Sequence, residues 1–168
     1  MYNERKLIFL DIDGVLNPST NIWHRKQKGE PTSSYYIKLP GDKLYRLKKI
    51  VKETGGEIII SSSWRIGFDR NLMEPSPSII NLSNQLAKYD IFISGFTPLH
   101  YDRHRGREIN NYLMNFIHKN GYKPKYIIID DDIKDIVGQH RGHIVHTNTV
   151  LGLQDEHVRI AINLLNYQ

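Results

Sequence analysis

Cysteine is absent from the 168 residues. Disulfide scaffolds, thiolate zinc sites and thiol nucleophiles are excluded with it. No apolar run approaches the ~20 residues needed to cross a bilayer. The first apolar stretch, Leu7 to Leu10, meets acids at once, so a signal peptide is not expected. Internal repeats, low-complexity tracts and an interdomain linker are also missing. These absences fit cytoplasmic residence. With 39% hydrophobic and 24% charged residues, the chain can bury a core, which excludes global disorder. The length suits one domain spanning 1–168. Acidic residues are outnumbered 18 to 23 by Lys and Arg, for a formal charge of +5. That balance favours anionic partners such as phosphate esters or nucleic acid, although many basic enzymes bind no nucleic acid.

Short continuous apolar runs recur: Leu7–Leu10, Ile58–Ile60, Ile91–Ile93, Tyr126–Ile129 and Ile144–Val145. Such runs suit parallel strands buried on both faces. Between them lie helical patterns. Leu44, Leu47, Ile50 and Val51 share one face of a helix over about 42–54, and Gly55-Gly56 can end it. Ile79, Leu82 and Leu86 mark a second, over 77–89, with Ser76 as N-cap and Pro77 at its first position. Ile109, Leu113, Phe116 and Ile117 mark a third, closed by Gly121. Val158, Ala161, Ile162 and Leu165 mark the last. This alternation predicts a three-layer α/β domain around a parallel sheet of about five strands. Residues 17–40, with Pro18, Gly29, Pro31 and Pro40, read as a long loop or a small hairpin, and 65–76 read as another loop.

Ligands of an open parallel sheet bind beyond the carboxyl ends of its strands. Asp11-Ile12-Asp13-Gly14 follows the first apolar run, Ser61-Ser62-Ser63-Trp64-Arg65 the second, and Asp130-Asp131-Asp132 the fourth. A single Asp after a strand is ordinary turn chemistry. Two acidic clusters more than a hundred residues apart, brought to one sheet edge, repel each other unless a cation joins them. Hard carboxylate oxygens suit Mg²⁺.

The string Leu10-Asp11-Ile12-Asp13-Gly14-Val15-Leu16 resembles the first motif of the haloacid dehalogenase (HAD) superfamily of phosphotransferases. The other motifs follow in the expected order, so the resemblance covers nearly the whole chain. It implies a Rossmann-like HAD fold, with the first strand central and flanked by the strands ending in Ser62 and in Asp130-Asp131. Within the superfamily, several marks resemble HAD domains associated with RNA-repair systems. They are Ser62-Ser63-Trp64-Arg65, Thr97-Pro98, Arg105-Gly106-Arg107-Glu108-Ile109, the Asp130–Asp132 run and Gly152-Leu153. The phosphatase half of polynucleotide kinase–phosphatase is a more distant likeness.

The resemblance implies roles residue by residue. Asp11 matches the nucleophile that forms an aspartyl-phosphate. Asp13 matches the general acid/base. Ser62 matches the hydroxyl that holds a phosphoryl oxygen, with Ser61 as second choice and Ser63 also in reach. Arg105 matches the basic residue that neutralises the phosphoaspartate, with Arg107 as the alternative. Asp11, the backbone carbonyl of Asp13, and Asp131 match the Mg²⁺ ligands, with Asp130 orienting the site.

Residues 17–40 are too few for a full cap, so a minimal cap or none is expected, with 17–40 as a flap or small insertion. An open site admits large substrates. The flap carries Trp23-His24-Arg25-Lys26-Gln27-Lys28 and Tyr35-Tyr36. Trp23 stacking on a base and Arg25 on a phosphate would suit a nucleic-acid end. A solvated basic loop with aromatics tucked onto the core is the plainer alternative. His140, His143 and His146 do not share one face at their spacing, so zinc is not expected. The function that fits best is a Mg²⁺-dependent phosphomonoesterase acting on a phosphorylated substrate, such as a nucleic-acid end or nucleotide. The same chemistry on a small metabolite, a non-catalytic HAD-fold binding module and a PIN-type nuclease are the competing readings. Oligomeric state is not legible.

Overall fold

A computed structural model describes residues 4–66 and 75–167. Five strands occur among them: β1 (Lys6–Leu10), β2 (Glu57–Ile60), β3 (Ile93–Phe96), β4 (Lys125–Asp130) and β5 (Ile144–His146). The helices are α1 (Ser19–Gln27), α2 (Gly41–Thr54), α3 (Pro77–Ala87), α4 (Arg105–Asn120), the short α5 (Val137–His140) and α6 (Asp155–Tyr167). Turns of 3₁₀ helix occupy Ser63–Arg65 and Arg141–His143. The strands form one sheet in the order β3-β2-β1-β4-β5, and every pairing is parallel. This is the expected Rossmann-like HAD arrangement, with β1 central between β2 and β4.

Side-chain alternation along each strand feeds two cores. Ile8 and Leu10, with Ile58, Ile60, Ile127 and Ile129, face the helices α2, α3 and α6. Leu7 and Phe9, with Ile59, Tyr126 and Ile128, face Ile109, Leu113 and Phe116 of α4. Both faces of the central strands are therefore dry, as their unbroken apolar runs require. Ser76 caps α3 by accepting from the Ile79 amide at 3.3 Å, and Pro77 opens the helix. α2 and α4 each end at a left-handed glycine, Gly55 and Gly121. No helix among the described residues is long and apolar enough to cross a membrane.

Two expectations need correction. The apolar run Ile91–Ile93 is not the strand: β3 begins only at Ile93 and runs through Ser94, Gly95 and Phe96. Ile91 is buried as a plug below α3, its amide donating to the Leu86 carbonyl at 3.2 Å, while Phe92 points outward. The chain reaches that position through Asp90, whose φ is +58°. The edge strand reads less apolar because Gly95 lies under Tyr112, where an added Cβ would be 3.0 Å from the phenol oxygen. Residues 17–40 hold no hairpin. They contain the nine-residue helix α1 followed by turns. Of the loop expected over 65–76, residues 67–74 lie outside the described residues.

Candidate active site

β1 delivers Asp11 to the carboxyl edge of the sheet. The Asp11 amide donates to the Ile129 carbonyl at 3.0 Å, and the Ser61 amide donates to the Leu10 carbonyl at 3.0 Å. The ladder thus continues one residue past the strand and fixes the backbone on which the Asp11 carboxylate stands. The chain then folds tightly back, with the Leu16 and Asn17 amides both donating to the Ile12 carbonyl. Gly14 permits this at φ +73°. It also makes room for a neighbour: a Cβ there would fall 2.1–2.5 Å from the carboxylate of Asp131. A side chain at position 14 would displace that acid.

Asp11, Asp130 and Asp131 converge from β1 and β4 with carboxylate oxygens within 4.8 Å of one another. Asp11 is 5% exposed and Asp130 0%. Arg105, the first residue of α4, reaches in from the other side of the sheet. Its Nη1 lies 3.2 Å from Asp11 Oδ1 and 2.5 Å from Asp130 Oδ2. His104 caps α4, accepting from the Arg107 amide at 3.3 Å. Gly106 lets the helix start press against Asp135, where a Cβ would be 2.3 Å from the carbonyl oxygen.

The electrostatics are uneven. Burial pushes Asp11 up to about 7, against the pull of the Arg105 guanidinium and with the Asp130 charge adding to the rise. The Ser62 hydroxyl and the Ile12 amide oppose that rise. Burial also raises Asp130, again opposed by Arg105. Burial works against the charge on Arg105, but Asp11 and Asp130 outweigh it and hold the guanidinium above its ordinary range. When ionised, three carboxylates with one guanidinium among them carry an excess of two negative charges, and a cation is what would hold them ionised together. This all-oxygen set fits a hard divalent cation of the Mg²⁺ type. Both Asp130 oxygens are already engaged, Oδ2 by Arg105 at 2.5 Å and Oδ1 by the Asp132 amide at 3.0 Å. Among the described residues the Asp131 carboxylate is held through Oδ2, by the Thr149 hydroxyl at 2.6 Å. By that measure Asp131 is the acid with an oxygen left for a cation, and Asp130 ties the cluster to Arg105.

Asp13 projects from the same loop toward solvent, gripped on both oxygens. Asn17 Nδ2 donates to Oδ1 at 2.6 Å and the Trp64 indole Nε1 donates to Oδ2 at 2.8 Å. The three serines after β2 separate. Ser62 is buried beside Asp11, and its hydroxyl accepts from the Trp64 amide at 3.4 Å. Ser61 is fully buried with its hydroxyl unpartnered. Ser63 is exposed and lines a cleft beside Asp13. Arg107 faces away and pairs with Asp102 at 2.5 Å, half exposed. Trp23 is 58% exposed and lines a separate cleft with Lys26 and Val150. Arg25 is held within the flap by Glu30, at 2.8 Å, and by the Pro31 carbonyl, at 2.9 Å.

Several positioning contacts are not legible in the sequence. Arg65 is buried behind the serines, donating to the Ser61 and Ser62 carbonyls at 2.5 and 2.6 Å and to Thr97 at 3.1 Å. Its remaining nitrogen pairs with buried Glu108 of α4. Glu108 also accepts from the His100 amide at 3.0 Å. One ion pair therefore joins the serine turn, the Thr97 loop and the helix that carries Arg105. The Thr147 hydroxyl donates to the Gly14 carbonyl at 2.9 Å. The available signal for Thr147 and Thr149 was their place after the last strand, on the same sheet edge. The three histidines do not converge. His140 faces the Tyr126 hydroxyl and the Gly106 carbonyl, His143 the Tyr126 carbonyl, and His146 the Asp131 carbonyl.

Comparison with curated proteins and with solved structures finds no match for this chain. A family model described as the HAD domain in Swiss Army Knife RNA repair proteins matches residues 7–158, a span that takes in every acid, serine and arginine of the site, and the chain belongs to that family.

Proposed function

We propose that the chain is a Mg²⁺-dependent phosphomonoesterase that works through an aspartyl-phosphate on Asp11. The observation that carries the reading is the meeting of Asp11, Asp130 and Asp131 within 4.8 Å, with Arg105 bridging two of them. A nucleophilic carboxylate, a fixed cation and room for a second cation are what transfer of a phosphoryl group to a carboxylate needs.

In the first step an Asp11 oxygen attacks phosphorus and the bond to the leaving oxygen breaks. Asp13 delivers its proton to that oxygen as the alcohol departs. In the second step Asp13 takes a proton from water, the water oxygen attacks phosphorus, and the acyl-phosphate bond breaks. Asp11 is regenerated and inorganic phosphate leaves. Asn17 and Trp64 hold the Asp13 carboxylate in one orientation through both steps. Ser62 and Arg105 orient and neutralise the phosphoryl oxygens. Mg²⁺ held by Asp11, Asp131 and the Asp13 backbone carbonyl supplies further charge neutralisation when bound. The family's description as a domain of RNA repair proteins supports a phosphorylated nucleic-acid end as substrate.

The test is hydrolysis of an aryl phosphate with and without Mg²⁺, together with trapping by beryllofluoride. Metal-dependent turnover and beryllofluoride bound at Asp11 are expected. A nuclease of the PIN type would cleave diesters and give no Asp11 adduct. Full activity in excess EDTA would overturn the metal assignment.

A further inference from the structure

The cleft beside Asp13 has a composition that the phosphoryl chemistry does not require. It encloses about 410 Å³, within the roughly 300–1,000 Å³ typical of small-molecule sites. One wall comes from the turn after β2 and the start of α3, with Ser63 and Ser78. The other comes from the flap, with Thr32, Ser34 and Tyr35. The described lining offers hydroxyls and a half-exposed phenol, with Ile22, Trp64 and Ile66 as its apolar part, and its one charged group is the Asp13 carboxylate.

This flap wall is anchored. Ser34 Oγ and Ser78 Oγ are 2.7 Å apart. Asn81 Nδ2 donates to the Ser34 and Ile37 carbonyls, each at 3.0 Å. Gln85 accepts from the Leu39 amide at 2.8 Å and donates to the Ile37 carbonyl at 3.0 Å. Residues 78, 81 and 85 lie on one face of α3, so a single helix face fixes the flap from Ser34 to Leu39. At the other end, the Ser19 amide and the Thr20 hydroxyl bond the Thr149 and Val150 carbonyls, both at 2.9 Å. A wall pinned at both ends is preorganised and does not have to close over its ligand.

We propose that this cleft is the leaving-group subsite and that it takes a nucleoside, with the sugar hydroxyls on Ser34 and Ser63 and the base against Tyr35. The assignment rests on the proposed role of Asp13 as the general acid, because the leaving oxygen must lie within its reach. Hydroxyls on the walls match a sugar, and a half-exposed ring matches a base face. Substrate selection then belongs to the inner face of the flap, and Trp23 and Lys26 on the separate cleft are dispensable for it.

The experiment compares wild type, Tyr35→Ala and Trp23→Ala on adenosine 3′- and 5′-monophosphate and on glycerol phosphate. Binding of adenosine 3′-monophosphate without Mg²⁺ is measured in parallel by equilibrium dialysis. Tyr35→Ala should raise KM for at least one nucleotide about tenfold, leave glycerol phosphate within twofold, and weaken nucleotide binding equally. Trp23→Ala should change none of these values. Equal effects of Tyr35→Ala on nucleotide and glycerol phosphate, or wild-type preference for glycerol phosphate, would overturn the subsite. Failure of wild type to hydrolyse any ester would overturn the phosphatase reading. Tyr35-dependent nucleotide binding would in that case still support the subsite, and its absence would sink it.

Discussion

On the phosphoryl side of the site, Asp11 and Asp130 stand at strand ends with 5% and 0% of their surface exposed, and Arg105 opens a helix. Across the cleft, Ser63 and Tyr35 are exposed and ride on turns. The first group is positioned by the backbone ladder of the sheet. The second depends on side-chain hydrogen bonds between α3 and a segment with no strand of its own. Chemistry that needs charges held in low dielectric is built on the rigid element. In the proposed subsite, selection would fall to a loop, where substitutions cost less stability. Substitutions on each side show how far the two are separable.

The largest effect is expected from Asp11→Asn. An amide cannot act as the nucleophile, so phosphate release should fall to background for every substrate, read by a continuous phosphate assay. Near-normal turnover would remove the aspartyl-phosphate. Arg65→Ala comes next and tests the support behind both groups. It strands buried Glu108, whose side chain is 4% exposed, beside the serine turn. Breaking a buried pair costs ~3–5 kcal/mol, or roughly 6–20 °C in Tm at this size. Adding Glu108→Gln should recover part of that loss in a thermal melt.

Within the acidic run, Asp131→Ala should weaken Mg²⁺ binding, followed by titration calorimetry, well beyond Asp132→Ala. Asp132 shares its amide with Asp130 but does not belong to the converging group. Equal losses would shift the metal site along the run. Trp64→Phe removes the indole donor from Asp13 and keeps most of the packing. A hydrogen bond to a charged group is worth ~1.5–3 kcal/mol, so kcat should drop about tenfold or more with KM nearly constant. A change confined to KM would make Trp64 a binding residue instead. The smallest effect is expected from replacing Arg25, Lys26 and Lys28 together by Ala. Arg25 already serves Glu30 and Pro31, so the triple variant should leave the KM of a mononucleotide unchanged. On a longer single strand its salt slope should flatten by ~0.7 for each phosphate no longer neutralised, if those lysines meet the backbone. A rise in mononucleotide KM would move selection to the outer face of the flap.

Legibility in the sequence followed burial. The strands β1, β2 and β4 were readable because a strand dry on both faces must be apolar throughout, and the acids that follow such runs could be placed on one edge from the sequence. The edge strand was misread for the converse reason. Ile91 is apolar because it plugs the core below α3, whereas the true strand carries Ser94 and Gly95, and Gly95 packs under Tyr112. α1 was missed because none of its residues is buried, so no apolar period marks it.

Local sequence by itself determined which carboxylates end which strands and that no thiol takes part. Those properties depend on residue type and short-range geometry. The resemblance favoured Ser62 and Arg105 without excluding their neighbours; the tertiary structure puts Ser62 beside Asp11 and has Arg105 bridge Asp11 and Asp130, while Arg107 faces Asp102. The tertiary structure also decided that Trp64 and Asn17 grip Asp13, and that Arg65 is consumed by Glu108. The serine and arginine choices are between neighbours of the same chemical type, and the Trp64–Asp13 and Arg65–Glu108 contacts join residues far apart in the chain. What separates the neighbours is which one points inward once strands and helices pack, and that depends on residues tens of positions away along the chain.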